Sequence, residues 1–273
     1  MEANLELFKM KKSLLIILSF LILNLGCVYA GTDGVEKLTQ KPTDIKANEC
    51  FEKTSRAIFK FNKGLDNILF QPVAKGYRKI PSPIRKGTSN VVSNLRSLLT
   101  LSNNILQGDF RAAGNTTGRF LINSTVGILG IWDPASAFGV EKAGTEDFGQ
   151  TLGVWGSNPG CYFVLPILGP TTTRDAVGLV GNVFLDPVYR VTHDKEMFSK
   201  SYDEHNYYYY RGTGAVDFRA KNIDSFESLE KNSIDIYASV KSLYLQNRSQ
   251  KILNSKSPVN TQDDSDWEEI DNK

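Results

Sequence analysis

The sequence predicts an all-α body, on three observations. Apolar residues recur at three- and four-residue steps through most of the chain, no polar/apolar alternation lasts beyond four or five residues, and the most apolar stretches are short and broken by glycine and proline. With 273 residues, 41% hydrophobic and 23% charged, the chain has ordinary globular composition and is long enough for one sizeable core. The pattern calls for no sheet.

The N-terminus stands apart. Lys9, Lys11 and Lys12 precede the apolar run LLIILSFLILNL (Leu14 to Leu25), and small residues follow, which is the layout of a secretory signal peptide. Met10 is a second candidate start, because Glu2 and Glu6 add acid before the run. The run contains Ser19 and Asn24 and falls short of the roughly 20 apolar residues a membrane span needs. Two processing sites compete. Leu23-Asn24-Leu25-Gly26 before Cys27 resembles a bacterial lipobox, which would leave Cys27 acylated; Val28-Tyr29-Ala30 would discard it. Either way the chain is exported, and Cys50 and Cys161 meet an oxidising compartment. The organisation expected is a signal peptide over 1–30, a linker over 31–47, a helical body over 48–254 and an acidic disordered tail over 255–273. Without leader and tail the body keeps a mild excess of basic residues, which suits a surface facing anionic headgroups.

Along the body, Ile58, Phe61, Leu65 and Ile68 fall on one helical face, and Pro72 is expected to close that helix. Val91, Leu95, Leu98, Ser102 and Ile105 form a second stripe, stopped by Gly108. Phe120 to Trp132 would span about 20 Å as a helix, too little to cross a bilayer. Gly127 and Gly130 within it permit close backbone approach. Thr172 and Asp175 have capping-box spacing, and Asp186-Pro187 ends the helix they begin. Tyr207 to Tyr210 lie in a connector. The last helices are led by Val216, Ala220 and Ile223, then Tyr237, Val240 and Tyr244, with a break at Asn232-Ser233.

Chemistry is sparse. The phosphate-cradling GxxxxGK[ST] loop and the GxSxG nucleophile elbow are absent, so neither nucleotide use nor serine hydrolysis is expected, and no cofactor is implied. His193 and His205 are the only imidazoles, and no cysteine spacing suits zinc. Basic residues are interspersed with acids, which disfavours nucleic acid as a partner.

Several blocks nevertheless carry a family likeness: AIFKFNKGLD, PVAKGYRKIPSPIRKGTSNVVSNL, NNILQGDFRAAGNTTGRFLINSTVGILGIWDPAS, EDFGQTLGVWG, YFVLPILGPTTTRDAVG and SLYLQNRSQ. In this order, from about Glu49 to about Ile252, they resemble the MlaA/VacJ family of outer-membrane phospholipid-transport lipoproteins. The resemblance implies a single ring- or doughnut-shaped helical domain in the inner leaflet of a Gram-negative outer membrane, at its periplasmic face. A central amphipathic channel would pass mislocalised phospholipids to a soluble periplasmic carrier, MlaC, with an inner-membrane ATPase complex completing the pathway. It also implies association with trimeric porins and no enzymatic activity. A lipid-tethered scaffold on porins, without transport, is the alternative function.

Under this resemblance, local chemistry nominates channel residues. Ile128, Leu129, Phe163, Leu165 and Ile167 would form apolar walls for acyl chains, and Arg119, Asn123, Ser124, Thr125 and Arg174 would meet headgroups. Gly149, Gly153, Gly156, Pro159, Gly160 and Pro166 would supply bends or a gate at the channel, since irregular backbone is tolerated in lipid only where protein or water satisfies it. Cys50 and Cys161 both stand where the family has proline, which implies either a lineage-specific disulfide or two independent thiols. Thr54 and Ser55 replace the family's phenylalanine and asparagine, and Leu98 a further proline.

Overall fold

A computed structural model of the chain describes residues 47–193 and 205–254. The signal peptide with Cys27, the linker up to residue 46 and the acidic tail lie outside the described residues. The body begins with strand β1 (Asn48–Glu49) and helix α1 (Glu52–Leu65), which passes through a π-helical turn (Asp66–Phe70) into α2 (Gln71–Arg78). The longest helix is α3 (Ser82–Gln107), followed by α4 (Phe110–Thr125), the single turn α5 (Pro134–Ala137) and α6 (Phe148–Val154). A hairpin of β2 (Cys161–Leu165) and β3 (Gly169–Thr172) leads to α7 (Thr173–Leu185), α8 (Pro187–His193), α9 (His205–Lys221), α10 (Ile223–Asn232) and α11 (Ile236–Asn254).

The helical prediction holds, with four local corrections. A small sheet is present where none was expected: β1 pairs in parallel with β2 at Asn48–Cys161 and Glu49–Tyr162, and β2 pairs antiparallel with β3 from Tyr162–Thr172 to Leu165–Gly169. Five residues are too few to display alternation, although Tyr162 and Val164 are indeed the buried ones. Pro170 disguised β3; it is tolerated because β3 is an edge strand.

Pro72 does not close its helix either. The Gln71 amide donates to the Asp66 carbonyl, an i to i+5 bond, and the widened turn accommodates a ring that lacks an N–H. The Phe120–Trp132 segment leaves the helix after Thr125. Tyr207 to Tyr210 are helical, inside α9. The predicted stops at Gly108 and Asp186 are correct; Gly108 sits at φ 77°, and Thr172 caps α7 by accepting from the Asp175 amide. The break at Ser233 is also present, with a second at Asn222.

Two small apolar clusters serve as cores. Ala74, Ala220 and Ile223 join α2, α9 and α10, with Tyr77 against them. Tyr162, Val164 and Tyr237 join the hairpin to α11, backed by Ile58, Phe59 and Tyr244. The disulfide Cys50–Cys161, with Cα atoms 5.6 Å apart, fastens the residue after β1 to the first residue of β2.

Candidate functional site

The interior between the longer helices is polar. On α3 the buried positions are Asn94, Leu99, Thr100, Asn103 and Asn104; on α4 they are Ala113, Thr116, Arg119 and Asn123; on α7 they are Arg174, Asp175 and Gly178. The apolar residues of the same helices point out: Ile105 and Leu106 on α3, Phe110 and Leu121 on α4, Val177, Val180 and Phe184 on α7. These helices are amphipathic in the inverted sense. Of the two apolar stripes, Phe61, Ile68 and Ile105 are exposed, while Ile58, Leu65, Val91, Leu95 and Leu98 are half-buried. Many large apolar side chains are thus left facing out.

Hydrogen bonds inside make that arrangement tenable. Thr151 donates to Asn103 at 2.8 Å, Asn104 to Thr116 at 3.2 Å, and Asn94 to Ser124 at 2.9 Å. Buried polar groups of this kind are stable only when paired.

At one end of α4 the chain ties a tight knot. Ile128 and Leu129 adopt φ of 50° and 55°, and the amides of Leu129 and Gly130 donate back to the carbonyls of Ser124 and Asn123. Side chains at Gly127 and Gly130 would strike the Asn123 carbonyl and the Asn94 side chain. The result displays Val126, Ile128, Leu129 and Trp132 outward. The hairpin tip repeats the device: Ile167 has φ 66° and is exposed beside Leu168. Asn62 of α1 fixes this tip, donating to the Leu165 carbonyl at 2.8 Å and accepting from the Ile167 amide at 2.8 Å. All three non-glycine residues with positive φ among the described residues are thus exposed aliphatics. Left-handed backbone costs such residues roughly 1–2 kcal/mol, which marks both tips as display sites.

An apolar groove of about 640 Å³ runs between α3 and α9. Ile84, Val91 and Leu95 line it from α3, Tyr209 and Tyr210 from α9, and Ile131 of the knot packs in beside Gly87. Its volume falls in the range of small-ligand sites.

Behind the apolar surface lies a charged lattice. Arg248 of α11 binds Asp147 through two hydrogen bonds of 2.6 and 3.0 Å and Asp175 at 2.7 and 3.1 Å; Arg174 adds a bond to Asp175 at 3.1 Å, and Tyr244 donates to its other oxygen. Burial alone would raise both carboxyls, but the Arg248 guanidinium overrides it and holds them below the usual carboxylate range. Asp147 also caps α6, accepting from the Gln150 amide. Its neighbour Glu146 behaves oppositely: burial pushes it up to about 7, although Gln107 donates to it at 3.0 Å.

The residues nominated from sequence divide accordingly. Ile128, Leu129 and Ile167 are exposed on the tips, and Phe163 and Leu165 are half-buried on the less covered face of the sheet. Arg119, Asn123 and Arg174, expected at headgroups, instead hold the fold. Arg119 donates to Asp133 at 2.6 Å and to the Val140 carbonyl at 2.6 Å; Asn123 donates to Asp133 at 2.8 Å; Arg174 is buried against Asp175. Ser124 accepts from Asn94, and Thr125 donates to the Leu121 carbonyl.

The glycines need a similar correction. Gly149 and Gly153 bend nothing; they are buried in α6, where a Cβ would strike Arg248 or Ile252. Gly156, at φ 95°, lies in the turn after α6; Gly160, at φ 70°, immediately precedes β2, and Pro166 begins the hairpin tip. Sequence reasoning missed Arg248 and the groove. The one signal for the groove is that α3 contains Arg85, Lys86 and Arg96 but no acid.

Comparisons with known proteins converge on one group. The family description "MlaA lipoprotein" matches residues 47–251. An intermembrane phospholipid transport system lipoprotein MlaA of Haemophilus influenzae is 31% identical over 213 residues, 77% of this chain and 81% of that protein. An uncharacterised protein of Rickettsia prowazekii is 38% identical over 146 residues, 53% of this chain; the match spans only 58% of that relative's length. A structure solved to explain maintenance of bacterial outer membrane lipid asymmetry superposes with a TM-score of 0.62 at 28% identity, covering 75% of this chain and 99% of the other. Since the family match spans the helical body almost end to end and a solved fold agrees with it, the chain belongs to the MlaA lipoprotein family.

Proposed function

We propose that this protein is an envelope component of a phospholipid transport system that maintains outer-membrane lipid asymmetry. It sits in the inner leaflet of the outer membrane, anchored through Cys27 if that residue is acylated. Mislocalised phospholipids pass along an amphipathic path through a ring-shaped body to a soluble MlaC-like carrier, and trimeric porins are its neighbours in the membrane. The observation that carries this reading is the inversion of α3, α4 and α7, whose apolar residues face out around a hydrogen-bonded polar interior. Lipid is the surrounding that satisfies such a surface. Among the described residues no helix is long and apolar enough to cross a membrane, in keeping with residence in one leaflet. The names of the relatives in Haemophilus influenzae and Escherichia coli support the same reading.

The test is transfer of labelled phospholipid from liposomes carrying the protein to a soluble carrier. Transfer above that of protein-free liposomes is expected. Stable vesicle binding with no transfer, and no phospholipid co-purifying with the protein, would overturn the conduit in favour of a lipid-tethered scaffold.

A further inference from the structure

The groove between α3 and α9 runs past the knot. Ile131 packs beside Gly87 and accepts from Asn90 through its carbonyl, and the neighbouring Ile128 and Leu129 project outward, so the flank of the groove adjoins exposed aliphatic side chains. Leu95 and Tyr210 line the wall beyond it. Exposed Arg96 lies one helical turn beyond Val92 on the same side of α3. Arg96 and Arg211 both lie within electrostatic range of the Tyr210 phenol, which burial pushes up to about 12, so it remains a hydroxyl donor at neutral pH. Asp186 also faces the Tyr210 phenol, and α3 contributes no acidic residue. The lining from Pro83 to Leu95 covers about 18 Å of helix, close to the ~15 Å that one acyl chain occupies in a leaflet.

Building on the transport reading, we propose that the α3–α9 groove is a phospholipid subsite: one acyl chain lies along Leu95, Val91 and Ile84, passing Ile131, and the phosphate lies at Arg96 and the Tyr210 hydroxyl. A cationic polar end on an apolar trough fits an amphiphile whose head carries negative charge, and favours phosphatidylglycerol over a zwitterionic lipid of equal chain length.

The experiment uses phosphatidylglycerol with a diazirine at its acyl terminus, in vesicles carrying the full-length protein. Peptides containing Ile84–Val91 or Ile131 should take the label. Val91→Trp and Thr88→Trp, two independent fillings of the trough, should each lower that labelling about tenfold. Arg96→Gln should lower it about tenfold for phosphatidylglycerol and less for phosphatidylcholine. Thermal unfolding of each variant reports folding, and if one filling unfolds the protein the other decides. Label found on Leu168 or Phe184 peptides, and unaffected by either filling, overturns the subsite while leaving transport itself intact. A failure of transfer together with absence of co-purified lipid strikes the transport reading instead.

Discussion

Gly178 of α7 meets Gly149 of α6 backbone to backbone: a Cβ at Gly178 would stand 2.4 Å from the Gly149 amide nitrogen. This contact brings Asp175 and Asp147, each in the same helical turn as one of the glycines or just before it, onto the single guanidinium of Arg248. Gly178→Ala should therefore destabilise the protein by about 1–3 kcal/mol, read as a lower unfolding midpoint in detergent. Gly114→Ala on α4, where nothing lies within 4 Å, should instead stabilise by about 0.5–1 kcal/mol. Equal effects at the two sites would show that the α6–α7 contact is looser than described.

Arg248→Met should cost about 3–5 kcal/mol, because it strips buried Asp147 of its guanidinium and leaves Asp175 only Arg174. The acid limb should change with it. Asp147 and Asp175 titrate below their unfolded values, so their stabilisation is complete above about pH 4 and fades as pH falls further. The wild type should lose stability steeply below pH 4, and Arg248→Met should show a shallower loss.

Glu146 has the opposite sign. Its folded pKa, about 7, lies above the unfolded value, so the folded state holds the extra proton and stability declines as pH rises from about 4.5 to 7. Glu146→Gln should be more stable than wild type at pH 8, by about 1–2 kcal/mol, and should lose that advantage near pH 4.5. Unfolding curves at the two pH values decide it; an advantage that persists at pH 4.5 contradicts the assignment.

Cys50→Ser with Cys161→Ser opens a cross-link between residues 111 apart and should remove up to about 4 kcal/mol. The loss should concentrate at β1, which has only two paired residues and the Glu49 contacts to Tyr237 and Lys241. Hydrogen exchange should accelerate at residues 47–50 and 161–162 far more than in α3.

Ile128→Gly separates display from stability. Removing a branched side chain from φ 50° should raise stability by about 1 kcal/mol. It should also weaken vesicle partitioning about tenfold, since an exposed aliphatic no longer enters lipid. Unchanged partitioning would remove the knot from the lipid-facing surface.

Much of the fold was legible in the sequence because helix periodicity, Gly108, Thr172 and Asp186-Pro187 are local signals that tertiary structure kept. The direction of the helices was not legible. Ile105 and Phe61 share their spacing with core residues of any soluble helix, and only packing reveals that Asn103 and Asn104 point inward. The strands were hidden by brevity and by Pro170, which an edge position permits. At the site, Ile128, Leu129 and Ile167 were readable as apolar and beside glycine or proline, and they are displayed as such. The ion pairs of Arg119 with Asp133 and of Arg174 with Asp175 were not legible, because no local pattern shows which carboxylate an arginine meets. Arg248 lies about a hundred residues from Asp147, and no local pattern joins them.

The π-helical turn at Asp66–Phe70 acts as a phase setter between two halves of one rod. Upstream, Asn62 grips the hairpin tip; within it, Asp66 receives both arms of Arg219 at 2.8 Å; downstream, Ala74 seals against α9 and α10. Deleting one residue from the turn would restore regular winding, and would rotate everything before it by about 100° against everything after it. Length, more than side-chain identity, is what this segment must conserve for the tip and the helical body to stay in register.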